Sequence, residues 1–440
     1  MIVCTSICAN YLPKAAVLAQ SLKTYNPQYR MVACLVEDEI DASIETYRPF
    51  FDDMVLAKDM GIENFNQFIF RYDIVEASTA VKGRLFQYLL RTYPDERKFM
   101  YLDPDIEVFH SFSKLEDILD EHSIVLTPHM CEQERNDDVL AIIDNEVNSS
   151  LKYGVFNLGF LAISRTPEGE RFIDWWTSRL NLFCYDDMFD RGIFTDQRWI
   201  DLAPCLFDVY ILKDLGYNMA PWNVSTRRVT SDLLVNGRYP LVFFHFSGFD
   251  SGANETVINR YVPDKSEYIY TLRNAYIEKL KQNDFHEMSR RPWSYGYYRS
   301  GEKIEKEIRR LYRDKMEMFK EYLVDPFDES NDSIRQFYPK VLKGKKVYIW
   351  GTGSAGLRTL QYYKERGIEF AGWIDSNREK HGKTLEGMAV HSPGDILSSY
   401  ERGKHFIILG TSFYNEITPL LRDAGLEQHA DYLTSQILYQ

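Results

Sequence analysis

Residues 98–109 read KFMYLDPDIEVF, an apolar strand pattern that runs into two aspartates separated by one proline. In extended chain, residues i and i+2 point to the same side, so Asp103 and Asp105 can present carboxylates to one ion. Pro104 keeps Asp103 out of the helical region and stiffens that arrangement. Two hard oxygen ligands suit Mg²⁺ or Mn²⁺ shared with substrate phosphates. An ordinary acidic turn after a buried strand is the plain alternative.

Outward from this stretch, short apolar runs alternate with longer amphipathic segments, the pattern of an α/β fold with a largely parallel sheet. Strands are expected over 1–7, 31–36, 98–102, 123–127, 156–164 and 241–249, with helices over 13–25, 81–93 and 167–183 between them. Pro13 suits the first turn of its helix. The apolar start of the chain has no basic leader and is interrupted by Pro13 and Lys14, so it reads as strand, turn and helix. In open sheets of this kind, ligands bind beyond the carboxyl ends of the strands.

From about 266 to 323 the pattern becomes helical and heavily charged, and an acidic run follows over 325–332. At Lys345 the strand–helix–strand rhythm restarts with VYIW and then GTGSAG, which places Gly351, Gly353 and Gly356 at a strand-to-helix turn with Asp375 ending the next strand. Glycines there permit close backbone approach to phosphate at a helix start, and an acid can meet a ribose. Tight packing explains the same glycines equally well. The expected division is a first α/β domain over 1–265, a helical connector and linker over 266–340, and a small Rossmann-like nucleotide-binding or docking domain over 341–440.

The net charge of -13, from 52 Lys and Arg against 65 Asp and Glu, excludes a protein built to hold a nucleic-acid backbone, though not one with a small anionic substrate. No stretch approaches the roughly 20 uninterrupted apolar residues of a membrane span. Six scattered cysteines with no C-x-x-C pair suit reduced thiols, hence a cytoplasmic setting, with membrane contact limited to a peripheral one at the inner face. In LVFFHFSGF over 241–249, His245 sits in an aromatic strand, where it is either a core histidine or a third metal ligand whose nitrogen favours Mn²⁺.

Five segments in order resemble the family-8-type retaining GT-A glycosyltransferases. These are SICANYLPKAAVLAQSL from Ser6, AVKGRLFQYLL from Ala80, YLDPDIEVF from Tyr101, GVFNLGFLAIS from Gly154, and FTDQRWIDLA from Phe194 with FFHFSGF from Phe243. The resemblance covers the first 250 or so residues. It implies that Asp103, Asp105 and His245 bind the metal, that Thr5, Ala9, Asn10 and Lys82 lie at the donor, that Asn157 lines the sugar, and that Asp196 and Gln197 stand at the anomeric carbon. The donor it implies is a nucleotide diphosphate sugar, UDP-sugar foremost, and the acceptor a glycan or lipid-linked precursor of a bacterial surface polysaccharide.

Two departures stand out. The segment after Gly248 lacks the K-P-W whose lysine meets the diphosphate in the family, leaving either Arg260, Arg227 or Arg228 as its replacement or the metal to carry most of the neutralisation. Asn157 is followed by Leu158 where a small residue is usual. Glu107 reads as a surface residue, and Thr195 as the cap of a helix with Asp196 in its first turn. Retention of configuration would need either a nucleophile on the far face or front-side attack. The competing readings are a non-catalytic glycan-assembly module and an NAD-dependent sugar oxidoreductase centred on 351–375.

Overall fold

The computed structural model describes residues 1–188, 191–314, 325–328 and 337–435, with Phe337 known by its backbone alone. The charged helix and linker expected after 301 are therefore covered only in part, since 315–324 and 329–336 lie outside the described residues. The chain divides into two compact units, Met1–Gly296 and Tyr297–Gln440.

The first unit is built on a seven-stranded sheet. Its strands are β1 (Ile2–Ile7), β2 (Arg30–Leu35), β3 (Asp53–Leu56), β4 (Lys98–Leu102), β6 (Ile124–Pro128), β7 (Phe156–Ser164) and the short β8 (Tyr210–Ile211), while β5 (Ile106–Val108) stands outside it. The spatial order is β8-β6-β7-β4-β1-β2-β3, with β7 antiparallel to both neighbours and the remaining pairs parallel. Every residue of β1, β6 and β7 is buried, which fits strands that read as continuous apolar runs rather than alternating ones.

Helix α1 (Leu12–Tyr25) begins one residue before the expected Pro13 and is buried over most of its length, Lys14 included. Helix α2 (Lys82–Thr92) packs against α3 (Pro167–Phe183), whose cap is Thr166, the side chain accepting from the Gly169 N–H. Gly83 is required at that crossing, because a Cβ there would lie 2.5 Å from the Thr177 hydroxyl.

Two expectations need correction. The strand expected over 241–249 is only β9 (Phe243–His245); the Phe246 N–H still donates to the Asp105 carbonyl in the same register, and Gly248 then turns the chain at φ +72. Glu107, expected at the surface, is 2% exposed and paired with Lys279 of α4 (Tyr268–Gln282). This helix lies within the first unit, where its Tyr276 stacks on Phe246 with ring centroids 3.8 Å apart.

The second unit carries a six-stranded sheet. In chain order its strands are β10 (Lys346–Trp350), β11 (Phe370–Ile374), β12 (Thr384–Leu385), β13 (Met388–His391), β14 (His405–Leu409) and β15 (Tyr432–Thr434), arranged in space as β12-β13-β11-β10-β14-β15. All pairs are parallel except β12 with β13. Both units are thus α/β. No helix among the described residues is long and apolar enough to cross a membrane.

Candidate active site

Strands β4 and β5 are joined by Asp103-Pro104-Asp105, and the turn is fixed at both ends by backbone bonds. The Asp103 N–H donates to Gly159 of β7 at 2.9 Å, and the Phe246 N–H donates to Asp105 at 2.8 Å. Because β9 runs antiparallel to β5 with His245 opposite Ile106, the imidazole arrives beside the second carboxylate. Its Nε2 lies 3.0 Å from Asp105 Oδ1 and 3.8 Å from Asp103 Oδ2. One ligand atom from each of the three residues falls within 4.8 Å of the others.

The imidazole orientation is set from behind. Asn157 Oδ1 accepts from the Gly159 N–H at 3.2 Å and from Asn218 Nδ2 at 3.1 Å, which identifies that atom as the amide oxygen. It faces His245 Nδ1 at 3.3 Å, so Nδ1 carries a proton and donates, leaving Nε2 toward the carboxylates. The Trp222 ring meets the imidazole edge-on at 5.3 Å. Gly159 cannot be anything larger, since its Cβ would lie 2.5 Å from His245 Cε1. Sequence reading did not single out Gly159. The NLG triplet, with a glycine two residues after the asparagine, was the available signal.

Charge is concentrated and internally compensated. Burial pushes the Asp105 carboxyl up, but His245 and then Lys14 pull it down to about 2. Burial disfavours a charged His245, yet the two aspartates raise it above its ordinary value. Nearby His129 is held neutral, lowered to about 4 chiefly by burial. Lys82, 3% exposed, lies 3.3 Å from Asp103 Oδ1 and 3.0 Å from Asp196 Oδ2, and donates to the Leu158 carbonyl at 3.1 Å. Burial would neutralise it, but the two carboxylates hold its ammonium well above the usual lysine value. Asp196, by contrast, is raised by burial despite Lys82. The Tyr101 hydroxyl completes the set by donating to Asp103 Oδ1 at 2.9 Å.

These groups line a cavity of about 920 Å³ at the carboxyl end of β1 and β4. The expected residues Asn10, Lys82, Asp103, Asp105, Asn157, Asp196, Gln197 and His245 all reach its wall, which brings together segments more than 200 residues apart. The side-chain oxygen of Asn10 is buried without a hydrogen-bond partner among the described residues. Thr5 and Ala9 are fully buried and are not among the lining residues. Gln197 is tied to the frame, accepting from the Leu158 N–H at 3.1 Å and donating to the Tyr153 carbonyl at 3.0 Å.

The helix expected to start at Thr195 does not do so. Thr195 instead takes φ +42, unusual for a β-branched residue, and a 3-10 turn follows over Arg198–Leu202. Residues held at such angles cluster at functional sites, and Asp196 is the next residue in the chain. Of the three arginines expected near a diphosphate, none lines the cavity. Arg227 is buried against the carbonyls of Leu215 and Tyr217, Arg228 donates to the Tyr261 carbonyl, and Arg260 pairs with Asp144.

In the second unit, Gly351 takes φ +115, and a Cβ on Gly356 would lie 1.9 Å from the Gly351 carbonyl oxygen, so these two glycines are required by packing. Gly353 faces open space. Asp375 accepts from the Thr352 N–H at 3.2 Å, from the Thr352 hydroxyl, from Lys380 at 3.0 Å and from the Asn377 N–H at 2.8 Å, so the loop's own groups satisfy it.

Residues 343–430 match the family model described as C2185-like, N-terminal, and lie wholly in the second unit. No curated protein matches the chain. Among solved structures, the galactosyltransferase LgtC in complex with donor and acceptor sugar analogs is 19% identical, with TM-score 0.36 over 56% of this chain and 87% of that one. Mouse xyloside xylosyltransferase 1 is 14% identical, with TM-score 0.33 over 56% of this chain and 96% of that one. The glycosyltransferase GlyE of Streptococcus pneumoniae TIGR4 is 12% identical, with TM-score 0.34 over 98% of this chain and 85% of that one. Likenesses at these scores leave fold and function to rest on the chain's own residues.

Proposed function

We propose that the first unit is a metal-dependent GT-A glycosyltransferase that moves a hexose from a nucleotide diphosphate sugar, UDP-sugar foremost, to a glycan or lipid-linked acceptor with retention. The observation that carries this reading is the convergence of Asp103, Asp105 and an oriented His245 on one wall of a large cavity at the strand ends. The donor set fits a divalent cation of the Mn²⁺ or Mg²⁺ kind, with two carboxylates and an imidazole nitrogen that its back-side partner leaves free. Such an ion supplies neutralisation of a departing diphosphate.

The chain's own groups do the rest. Lys82 sets one ammonium between the carboxylates of Asp103 and Asp196, so neither faces the cavity wall without a nearby cation. Asn157 and Gln197 fix β7 and the imidazole, so that reorganisation on donor binding is small. Asp196, which lines the cavity next to the left-handed Thr195, is the carboxylate we place at the sugar, with Gln197 beside it.

The test is turnover of a panel of nucleotide sugars by the full chain with Mn²⁺, with Mg²⁺ and with chelator, repeated on Asp103→Asn. One donor should be consumed only when a metal is present, and the variant should lose that turnover. Binding without turnover would favour a non-catalytic glycan-assembly module. Consumption that ignores both metal and Asp103 would contradict the proposal.

A further inference from the structure

A diphosphate leaving group carries more negative charge than one divalent ion removes, so a fixed cation at the cavity is expected. None of the three arginines considered above reaches it, and Lys82 is committed to two carboxylates and a carbonyl. Among the described residues of the first unit, Lys14 is the other buried lysine; it does not itself line the cavity, but its carboxylate partner Asp250 does. Lys14, in the first turn of α1, has a side chain only 1% exposed, and its Nζ lies 2.6 Å from Asp250 Oδ2. The Tyr11 hydroxyl donates to the same oxygen at 2.8 Å.

Three aromatic rings surround this ammonium, with Tyr11 at 4.1 Å and Phe249 and Phe285 each at 5.9 Å. Tyr11, Phe249, Asp250 and Phe285 line the same cavity as Asp103, Asp105 and His245. Rings offer no strong acceptor, so of the three ammonium donors Asp250 takes one. Asp250 itself is 41% exposed and sits in the turn that leaves β9 just after His245. The pair therefore joins a rigidly held cation to a carboxylate on an exposed turn.

We propose that Lys14 is the fixed cation for the donor's diphosphate, and that Asp250 holds its place in the donor-free protein and is displaced by a phosphate oxygen when the donor enters. The inference rests on the donor reading above. Its chemistry is an exchange of one oxyanion for another on the same ammonium, with no covalent step.

Calorimetry on the full chain with Mn²⁺, using UDP and inorganic pyrophosphate as probes, tests the exchange. Lys14→Met should weaken both probes by about tenfold or more, the scale of a hydrogen bond to a charged group. Asp250→Asn should tighten them by about two- to fivefold, because a neutral amide competes less for the ammonium. A plain structural clasp between Lys14 and Asp250 would give the opposite sign for Asp250→Asn, weakening binding along with Lys14→Met, and that result overturns the proposal. Unchanged affinity in Asp250→Asn overturns it as well, which keeps the test decisive even where Lys14→Met fails to fold. Failure of the unaltered protein to bind either probe with Mn²⁺ would overturn the donor reading and this inference with it, whereas binding that ignores both substitutions would sink the Lys14 role alone.

Discussion

Nδ1 of His245 lies 3.3 Å from Oδ1 of Asn157, and that one contact decides which nitrogen of the imidazole faces the two aspartates. The Asn157 oxygen is itself pinned by Asn218 and by the Gly159 N–H, so the orientation is inherited from β7 rather than chosen by the histidine. Outer partners of this kind typically carry about 10–100-fold in metal affinity. Asn157→Ala should lower Mn²⁺ affinity by that order, measured by titration in the presence of UDP, while circular dichroism stays native. An unchanged Mn²⁺ affinity would remove Asn157 from this role.

Gly159→Ala probes the same contact from the other side. The added Cβ would lie 2.5 Å from His245 Cε1 and 2.8 Å from Asn157 Oδ1, and neither side chain has room to yield, the first being edged by Trp222. Overpacking of this sort costs about 1–3 kcal/mol. Denaturant unfolding should show that loss together with weakened metal binding. Wild-type stability and metal affinity in the variant would show that the wall is softer than its geometry.

The pH dependence has a defined sign. Burial lowers the His245 imidazole, but Asp105 and Asp103 raise it further, above its ordinary value near 6.5. A folded-state value above the unfolded one contributes stability that is complete below about pH 6.5 and lost as pH rises through the raised value. The metal-free protein should therefore lose thermal stability as pH rises above about 6.5, while Mn²⁺ affinity rises in the same direction because the ion must displace the proton. The difference from His245→Gln isolates this effect from Glu307, pushed up by burial to about 8. Identical pH trends in both proteins would contradict it.

Lys82 should matter more to stability than either of its carboxylates. Lys82→Met strands Asp196, itself 3% exposed, without its cation, and breaking a buried pair from one side costs about 3–5 kcal/mol. Asp196→Asn leaves Lys82 paired with Asp103 and should cost much less. Equal losses in urea unfolding would show that the cluster is held by packing rather than by charge.

Much of this was legible in the sequence because it depends on local pattern. The strand ending in Asp103 and Asp105, the buried β7 and the helices beginning near Pro13 and Pro167 follow from apolar periodicity and proline placement. What periodicity could not show was side-chain company. Glu107 looks like surface because acidic residues usually are, and only the arrival of Lys279 from a helix 172 residues away makes its burial tolerable. Thr195 has the composition of a helix cap, but tertiary contacts hold it at positive φ instead. Lys14 drew no functional attention, since a lysine on the first turn of a helix is normally solvated. Its partner Asp250 is 236 residues distant. The three arginines failed for the complementary reason, each being a sound cation by composition that the fold spends elsewhere.

The central claim is that Asp103, Asp105 and His245 hold a divalent ion which in turn supports a nucleotide diphosphate sugar. Isothermal titration of UDP into the full chain, with and without Mn²⁺, on the unaltered protein and on Asp105→Asn, tests it most directly. An amide keeps the carboxylate's shape and loses its charge, so Asp105→Asn should fold normally and lose Mn²⁺-supported binding, while the unaltered protein binds only when Mn²⁺ is present. Equal UDP affinity in the two proteins, or affinity indifferent to Mn²⁺ in both, would contradict the metal site and the function built on it.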